Sequence, residues 1–495
     1  VNAVLEMDAP PTGPPSLVSQ SGTMLGTLLS RGAARGLGYA KLVSVGNEAD
    51  LGIGELVELL ADDRETKVIA LFLETVRDAG RLAAAARKAH AAGKPIVAYK
   101  LGRSKLGEEL ARSHTGALAG SDAALDAFFR DCGIVRVDML ETLIEIPPLL
   151  IGKRPPQLKR APRVAAVTTT GGGAASVIDR LGLRGIELAS LHDLTMTATQ
   201  DTYAATLGRL LDSPDCDGVL AAVGSSAQFH PELAVEPILR AKPSAKPLAA
   251  FLTPHAEQSL ALLASRGIAA FRTPEACADA FAAFFAWQKP RERAAVSAPA
   301  LKTDAFAMLE ALGIPVPQQA LVHAPDFTHG VPYPVALKRT DVEHKTEAGG
   351  VALDIAGRDM LLEAARRMGQ AQLLVQKMER GLAEVIVGYR NDPVVGPLVL
   401  VGAGGTLAEL YADYALEMAP VTEAEALAMI GKVKGLAPIR GYRNLPRGDL
   451  PALARAVSAL SRLALLPAVR EAEINPLIVK RDGVVAVDAL LVLKE

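Results

Sequence analysis

The sequence predicts an α/β protein: two doubly wound parallel-sheet domains in succession, followed by an α+β domain. Three observations predict it. Between Ser16 and about Ile146, short apolar runs alternate with stretches of helical apolar spacing. After an interruption rich in proline and basic residues, the same alternation restarts at Arg163 and runs to Trp287. From Leu301 onward, strand candidates pair across short turns, which suits antiparallel sheet with helices.

Residues 1–15 form a lead-in, proline-rich from Pro10 to Pro15. In the first domain (16–146), Ser16–Val18, Lys41–Val45, Lys67–Leu73, Pro95–Lys100 and Ile134–Val137 read as strands. Met24–Arg35, Ile53–Leu60, Arg81–Ala92 and Asp122–Cys132 carry i, i+3/i+4 apolar spacing and read as helices. This alternation gives a parallel sheet covered on both faces, and ligands of such sheets bind beyond the carboxyl ends of the strands. Ser19–Gly22, Gly46-Asn47, Glu74 and Gly102-Arg103 follow strand ends and should gather on that edge.

Pro147-Pro148 and Gly152-Lys153-Arg154-Pro155-Pro156 break the pattern, so 147–162 reads as a linker. The second domain (163–288) has strands at Val164–Val167, Gly218–Val223, Pro247–Leu252 and Ala269–Arg272, with a helix through Ala174–Leu181. Residues 289–300 form a second linker. The third domain (301–495) opens with a helix at Thr303–Leu312. Strand candidates follow at Tyr333–Lys338, Gly349–Asp354, Leu373–Met378, Ala383–Arg390 and Leu398–Gly402. A hairpin closes the chain, Ala472–Val479 against Val484–Val492.

Composition narrows the function. Lys+Arg 53 against Asp+Glu 55 leaves a net charge of −2, which draws the chain neither to nucleic acid nor to an anionic membrane. Aromatic residues at 4% also argue against base stacking. No basic-then-apolar leader opens the numbered sequence and no apolar run is long enough to span a bilayer, so a cytoplasmic protein is expected. Cys132, Cys216 and Cys277 lack metal-ligand spacing and read as buried thiols of a reducing compartment.

The chemistry points to phosphate. Ser16–Val18 runs into Ser19-Gln20-Ser21-Gly22, and Val164–Val167 into Thr168-Thr169-Thr170-Gly171-Gly172-Gly173. Each is a strand, a hydroxyl- and glycine-rich turn, then a helix whose start offers free N–H groups and the positive dipole end to an anion. Between them stands His114, in Ser113-His114-Thr115-Gly116-Ala117-Leu118-Ala119-Gly120-Ser121-Asp122, with little side-chain bulk around it. The plain alternative is a histidine in a surface loop. A phosphorylated imidazole would need a neutral ring nitrogen, with a carboxylate fixing the tautomer. Glu74 is the candidate for it, against a simple solvated charge at a strand end. In the third domain Lys338 ends a strand, where it could neutralise nucleotide phosphates or merely snorkel to the surface. Glu343 to Gly350 is a polar loop with a second histidine, His344. Glu473, Asn475 and Asp488 lie on the two arms of the last hairpin and are hard oxygen donors of the kind Mg²⁺ takes.

Together these motifs resemble the NDP-forming (ADP-forming) acyl-CoA synthetases, the acetate–CoA ligase family related to succinyl-CoA synthetase. The resemblance runs from about Ser16 to Glu495. It implies two flavodoxin-like, succinyl-CoA synthetase-like domains and an ATP-grasp domain. Residues 113–122 resemble the family's phosphohistidine segment, with Glu74 orienting His114. Ser19, Ser21 and Gly22, and Thr170, Gly171, Gly172 and Gly173, match its two phosphate-facing helix starts. Lys338, Lys345, Gln376, Met378 and Glu384 match its ATP site, and Glu473, Asn475 and Asp488 its metal site. His344 matches a histidine implicated in carrying phosphate between sites.

The reaction implied is acyl-CoA + ADP + phosphate ⇌ carboxylic acid + CoA + ATP, through an acyl phosphate and phosphohistidine, with ATP/ADP, Mg²⁺ and coenzyme A as cofactors. A small carboxylic acid and CoA are the expected partners, with no nucleic acid and no membrane, in a homodimer. A CoA-binding Rossmann domain is expected before Val1. Two competing readings are an ATP-grasp carboxylate–amine ligase without phosphohistidine and a non-catalytic regulator that senses nucleotide or CoA.

Overall fold

The computed structural model describes residues 11–104, 121–194, 199–293, 296–325, 327–341, 350–405 and 411–494. The chain divides into two units, Val1–Glu292 and Arg293–Glu495.

The first unit holds two five-stranded sheets. One lobe is built on β1 (Pro15–Ser19), β2 (Lys41–Ser44), β3 (Val68–Leu73), β4 (Ile96–Lys100) and β5 (Ile134–Val137), in the order β2-β1-β3-β4-β5. The other is built on β6 (Arg163–Thr168), β7 (Glu187–Asp193), β8 (Gly218–Val223), β9 (Leu248–Leu252) and β10 (Ala269–Phe271), in the order β7-β6-β8-β9-β10. Every neighbouring pair is parallel. Both orders reverse direction beside their first strand, and the crevice at that switch point is where such sheets take ligands.

β3 and β8 are buried along their whole length, which is why Val-Ile-Ala-Leu-Phe-Leu and Gly-Val-Leu-Ala-Ala-Val read as unbroken apolar runs. β7 escaped the sequence reading for the converse reason. It pairs only with β6, and its side chains are exposed or half-buried, so no apolar run marks it.

The lobes share the helix Pro274–Ala286, which is buried on nearly every side from Ala276 to Phe284. Its Asp279 accepts hydrogen bonds from the Asp138 and Met139 amides at 2.9 and 3.1 Å. These amides begin the helix Leu140–Glu145, which has no side-chain cap of its own. An acid from the second lobe therefore caps a helix of the first. Residues 147–150, expected in a linker, instead form a short helix with Leu149 and Leu150 buried. Proline is tolerated in a first helical turn, so Pro147-Pro148 starts this helix rather than breaking the chain. The three cysteines are buried and form no disulfide, as expected.

The second unit contains two antiparallel sheets. The four-stranded one orders β11 (Gln319–His323), β14 (Gln372–Lys377), β12 (Val335–Arg339) and β13 (Val351–Ile355) side by side, and helix Arg358–Met368 packs into its core. The six-stranded one runs β17 (Tyr414–Met418), β16 (Gly396–Ala403), β15 (Ala383–Asp392), β18 (Val469–Val479) and β19 (Val484–Ala486), with β20 (Ala489–Leu493) also on β18. Helices Glu423–Lys432 and Leu450–Ser461 share its core. The closing hairpin differs from expectation in one respect. Its return arm breaks at Val487-Asp488, so that β19 and β20 pair separately with β18.

Candidate functional site

The carboxyl edge of the first sheet assembles as expected. The β1 end carries Ser19 to Gly22, its neighbour β3 runs into Glu74, and β4, on the far side of β3, runs into Gly102-Arg103. Leu101 N–H donates to the Leu73 carbonyl at 2.9 Å. The stretch that includes His114 therefore leaves from the strand end adjoining Glu74. His114 itself lies outside the described residues, as do His344 and Lys345. The Ser121 hydroxyl caps helix Asp122–Cys132.

The two helix starts are built alike. Ser19 Oγ donates to the Ser21 carbonyl at 2.7 Å and accepts from the Ser21 amide at 3.1 Å. Thr168 Oγ1 does the same with Thr170, at 2.8 Å in each direction. Ser21 and Thr170 then cap their helices by accepting from Met24 and Gly173, at 3.3 and 3.4 Å. Amides earlier in each first turn, Gly22 and Thr23, and Gly171 and Gly172, precede any intrahelical bond and point out of the helix end.

The glycines of the triplet differ in purpose. A Cβ on Gly173 would sit 2.4 Å from Thr253 Oγ1, whereas one on Gly172 would meet nothing within 4 Å. A Cβ on Gly171 would lie 3.6 Å from Asp193 Oδ2, so the end of β7 brings a carboxylate to this helix start.

Glu74 is buried, 7% exposed. The side chain that organises its surroundings is Gln20, whose oxygen accepts from the Glu74 amide at 2.5 Å and the Thr75 amide at 3.0 Å. Residue type alone gives Gln20 no role in the Ser19–Gly22 turn. A cavity of about 200 Å³ adjoins this corner, lined by Glu48, Gly52, Thr75, Arg77, Arg81 and their apolar neighbours.

In the second unit, the structure brings together Lys338, Gln376, Asn475 and Asp488. Lys338 is 6% exposed and donates from Nζ to the Val487 carbonyl at 2.5 Å, one residue from Asp488. It is therefore no snorkelling surface lysine. Gln376 pairs across β12 with Ala336, two residues from Lys338, so Gln376 and Lys338 share a sheet face. Gln376 is 1% exposed and donates to Gln319 Oε1 at 3.0 Å. Met378 follows β14 and its amide holds the Pro334 carbonyl at 3.0 Å.

Asn475 N–H reaches the Asp488 carbonyl at 3.3 Å, and Asn475 Nδ2 donates to Glu473 Oε1 at 3.1 Å. That bond orients the amide nitrogen toward Glu473 and leaves Asn475 Oδ1 as an oxygen donor. Two carboxylates and an amide oxygen at one break in a hairpin suit Mg²⁺, a hard cation that keeps several waters. Glu384, on β15, stands near the Gly404-Gly405 turn: the Gly404 amide donates to the Glu384 carbonyl at 2.9 Å.

Comparison with known proteins bears on the fold and the family. Residues 12–150 match the succinyl-CoA ligase like flavodoxin domain, and residues 295–493 match an ATP-grasp domain. An ADP-forming acetate–CoA ligase of Archaeoglobus fulgidus is 30% identical, over 100% of this chain and 80% of that protein. A trans-feruloyl-CoA synthase from an unknown prokaryotic organism is 31% identical, over 99% and 78%. An ADP-forming 4-hydroxybutyrate–CoA ligase of Nitrosopumilus maritimus is 26% identical, over 98% and 78%. Among the described residues, no helix is long and apolar enough to cross a membrane. With two parallel-sheet lobes of flavodoxin-like order and an antiparallel ATP-grasp region, the chain belongs to the ADP-forming acyl-CoA synthetases, a family of acid–thiol ligases.

Proposed function

We propose that this chain interconverts a carboxylic acid, CoA and ATP with acyl-CoA, ADP and phosphate, and that His114 is the phosphoryl carrier. The observation that carries the reading is topological. The stretch containing His114 departs from the β4 end, next to buried Glu74 just after β3, on the same sheet edge as the Ser19–Gly22 helix start.

Phosphate attacks the acyl-CoA carbonyl and displaces CoA, giving an acyl phosphate. A His114 ring nitrogen then takes the phosphoryl group and releases the carboxylate, and ADP takes it from His114 to give ATP. Glu74 fixes the imidazole so that a neutral nitrogen faces phosphorus. Ser19, Ser21 and Gly22, with Thr170, Gly171, Gly172 and Gly173, meet the phosphoryl charge with hydroxyls and backbone amides.

Lys338, Lys345, Gln376, Met378 and Glu384 bind the nucleotide, and His344 assists transfer on that side. Glu473, Asn475 and Asp488 would hold Mg²⁺, which neutralises phosphate charge when bound. The phosphoryl group passes from His114, in residues 16–146, to a nucleotide held by residues 301–495. The working form is a homodimer in the cytoplasm; three buried thiols outside any disulfide suit a reducing compartment. The relatives act on acids as unlike as acetate, ferulate and 4-hydroxybutyrate, so the family alone leaves the acid open.

Incubation with γ-labelled ATP and Mg²⁺ tests the carrier. Acid-labile, base-stable label that is lost in His114→Ala is expected. Label that persists in this variant would place the carrier elsewhere.

A further inference from the structure

We propose that Gln20 is the positioning residue for Glu74, clamping the backbone that follows β3 and so fixing where the carboxylate stands on the sheet edge; this rests on the proposed role of Glu74. Gln20 is 7% exposed, and its amide is fully used. The oxygen takes the Glu74 and Thr75 amides at 2.5 and 3.0 Å, and Nε2 donates to the Thr75 carbonyl at 3.0 Å and to Glu48 Oε1. A primary amide offers two donor hydrogens and two acceptor lone pairs, so this set saturates it and fixes its orientation. Glu48 is held in turn: its Oε2 accepts from the Ile53 amide at 3.0 Å, and its backbone stands in the left-handed region at φ 55. One side chain thus ties together the loops that follow β1, β2 and β3.

The second lobe supplies an internal control. There Thr169 takes the place of Gln20, and its hydroxyl accepts from the Gly224 amide at 3.2 Å. Gly224 follows β8 as Glu74 follows β3. A short hydroxyl contact to a single amide suffices for the same fold where the position carries no acid. The longer glutamine, with its grip on both faces of the Glu74–Thr75 step, accompanies the carboxylate. The difference between the lobes therefore follows the chemistry and not the architecture.

The test is a double-mutant cycle on the whole protein, reading the initial rate of label transfer from γ-labelled ATP. Gln20→Met keeps the bulk and removes every hydrogen bond of the clamp. It should slow transfer on the order of 10²-fold, the usual result of displacing a reacting group by about 1 Å. The ATP concentration at half-maximal rate should stay unchanged. In a Glu74→Gln background, the same substitution should cost less than about threefold, because a residue acting only through Glu74 has nothing further to lose. Equal losses in both backgrounds, or none in either, overturn the inference.

Gln20→Glu serves if the methionine variant fails to fold. It keeps an acceptor for both amides but sets a negative charge against Glu48 and the Thr75 carbonyl; pairing it with Glu48→Gln relieves the first clash and should recover part of the rate. No recovery in a folded double variant also overturns the clamp. Retained label in His114→Ala would instead remove the carrier reading. Wild-type transfer in Glu74→Gln would remove the role of Glu74, and this inference with it.

Discussion

Arg35 Nε lies 2.9 Å from Glu145 Oε1 inside the first unit, with side-chain exposures of 5% and 1%. The pair sits where Leu37 and Pro148 of one lobe face Leu260 and Ile268 of the other. Burial pushes the Glu145 carboxyl up to about 7; Arg35 pulls against that shift and Glu141 adds to it. The arginine therefore offsets the loss of water only in part.

The sign of the resulting pH dependence follows. Unfolded, Glu145 releases its proton near 4.5; folded, it keeps the proton to about 7. Its contribution to stability is thus complete below the lower value and lost as pH rises through the upper one, for a total of about 3 kcal/mol. Trp287, the chain's single tryptophan, is buried in this unit and donates to the Gly133 carbonyl at 3.2 Å, so its fluorescence follows the unit's unfolding. Urea denaturation at pH 4.5 and pH 8 should show the wild type losing about 3 kcal/mol more than Glu145→Gln across that interval. Equal losses would mean that Glu145 is ionised throughout.

The glycines of the second helix start should respond differently to the same substitution. Gly172→Ala meets open space and should leave stability unchanged or raise it by up to about 1 kcal/mol, since alanine restricts the unfolded chain. Gly173→Ala drives a methyl into Thr253 Oγ1 and the Thr170 methyl, and should cost about 1–3 kcal/mol. Tryptophan-detected denaturation of both variants checks the contrast. A similar cost at both positions would contradict the packing described.

The ATP-side cluster gives a separate pair of outcomes. Lys338→Met removes the Nζ that holds the Val487 carbonyl and should raise the ATP concentration for half-maximal label transfer by about tenfold. Asp488→Asn keeps the shape and removes a charge, and should raise the Mg²⁺ requirement by a similar factor of about ten. The Trp287 transition belongs to the other unit and should not move in either case. Magnesium titrations of both variants decide it: an unchanged requirement in Asp488→Asn would exclude this aspartate from the metal site.

Much of this was readable from residue order. Buried central strands such as β3 and β8 announce themselves because both faces are covered. The Ser19–Gly22 and Thr168–Gly173 turns show their hydroxyls and glycines directly, and Lys338 and the Asn475/Asp488 hairpin stand out by residue type and spacing.

What stayed hidden shares a different origin. β7 lacks an apolar signature because it lies at a sheet edge. Pro147-Pro148 looks like a break because proline carries the same letter at a helix start as in a linker.

By itself, the sequence determined which elements form and which chemistry their ends can offer, because strand burial, helix capping and turn formation are local consequences of residue type. Only the tertiary structure decided that Gln20 closes on Glu74, that Asp279 caps a helix of the other lobe, and that Glu145 is shut away beside Arg35. Each pairs groups distant in the chain, and no local pattern records which distant loop a side chain will meet when the sheets pack.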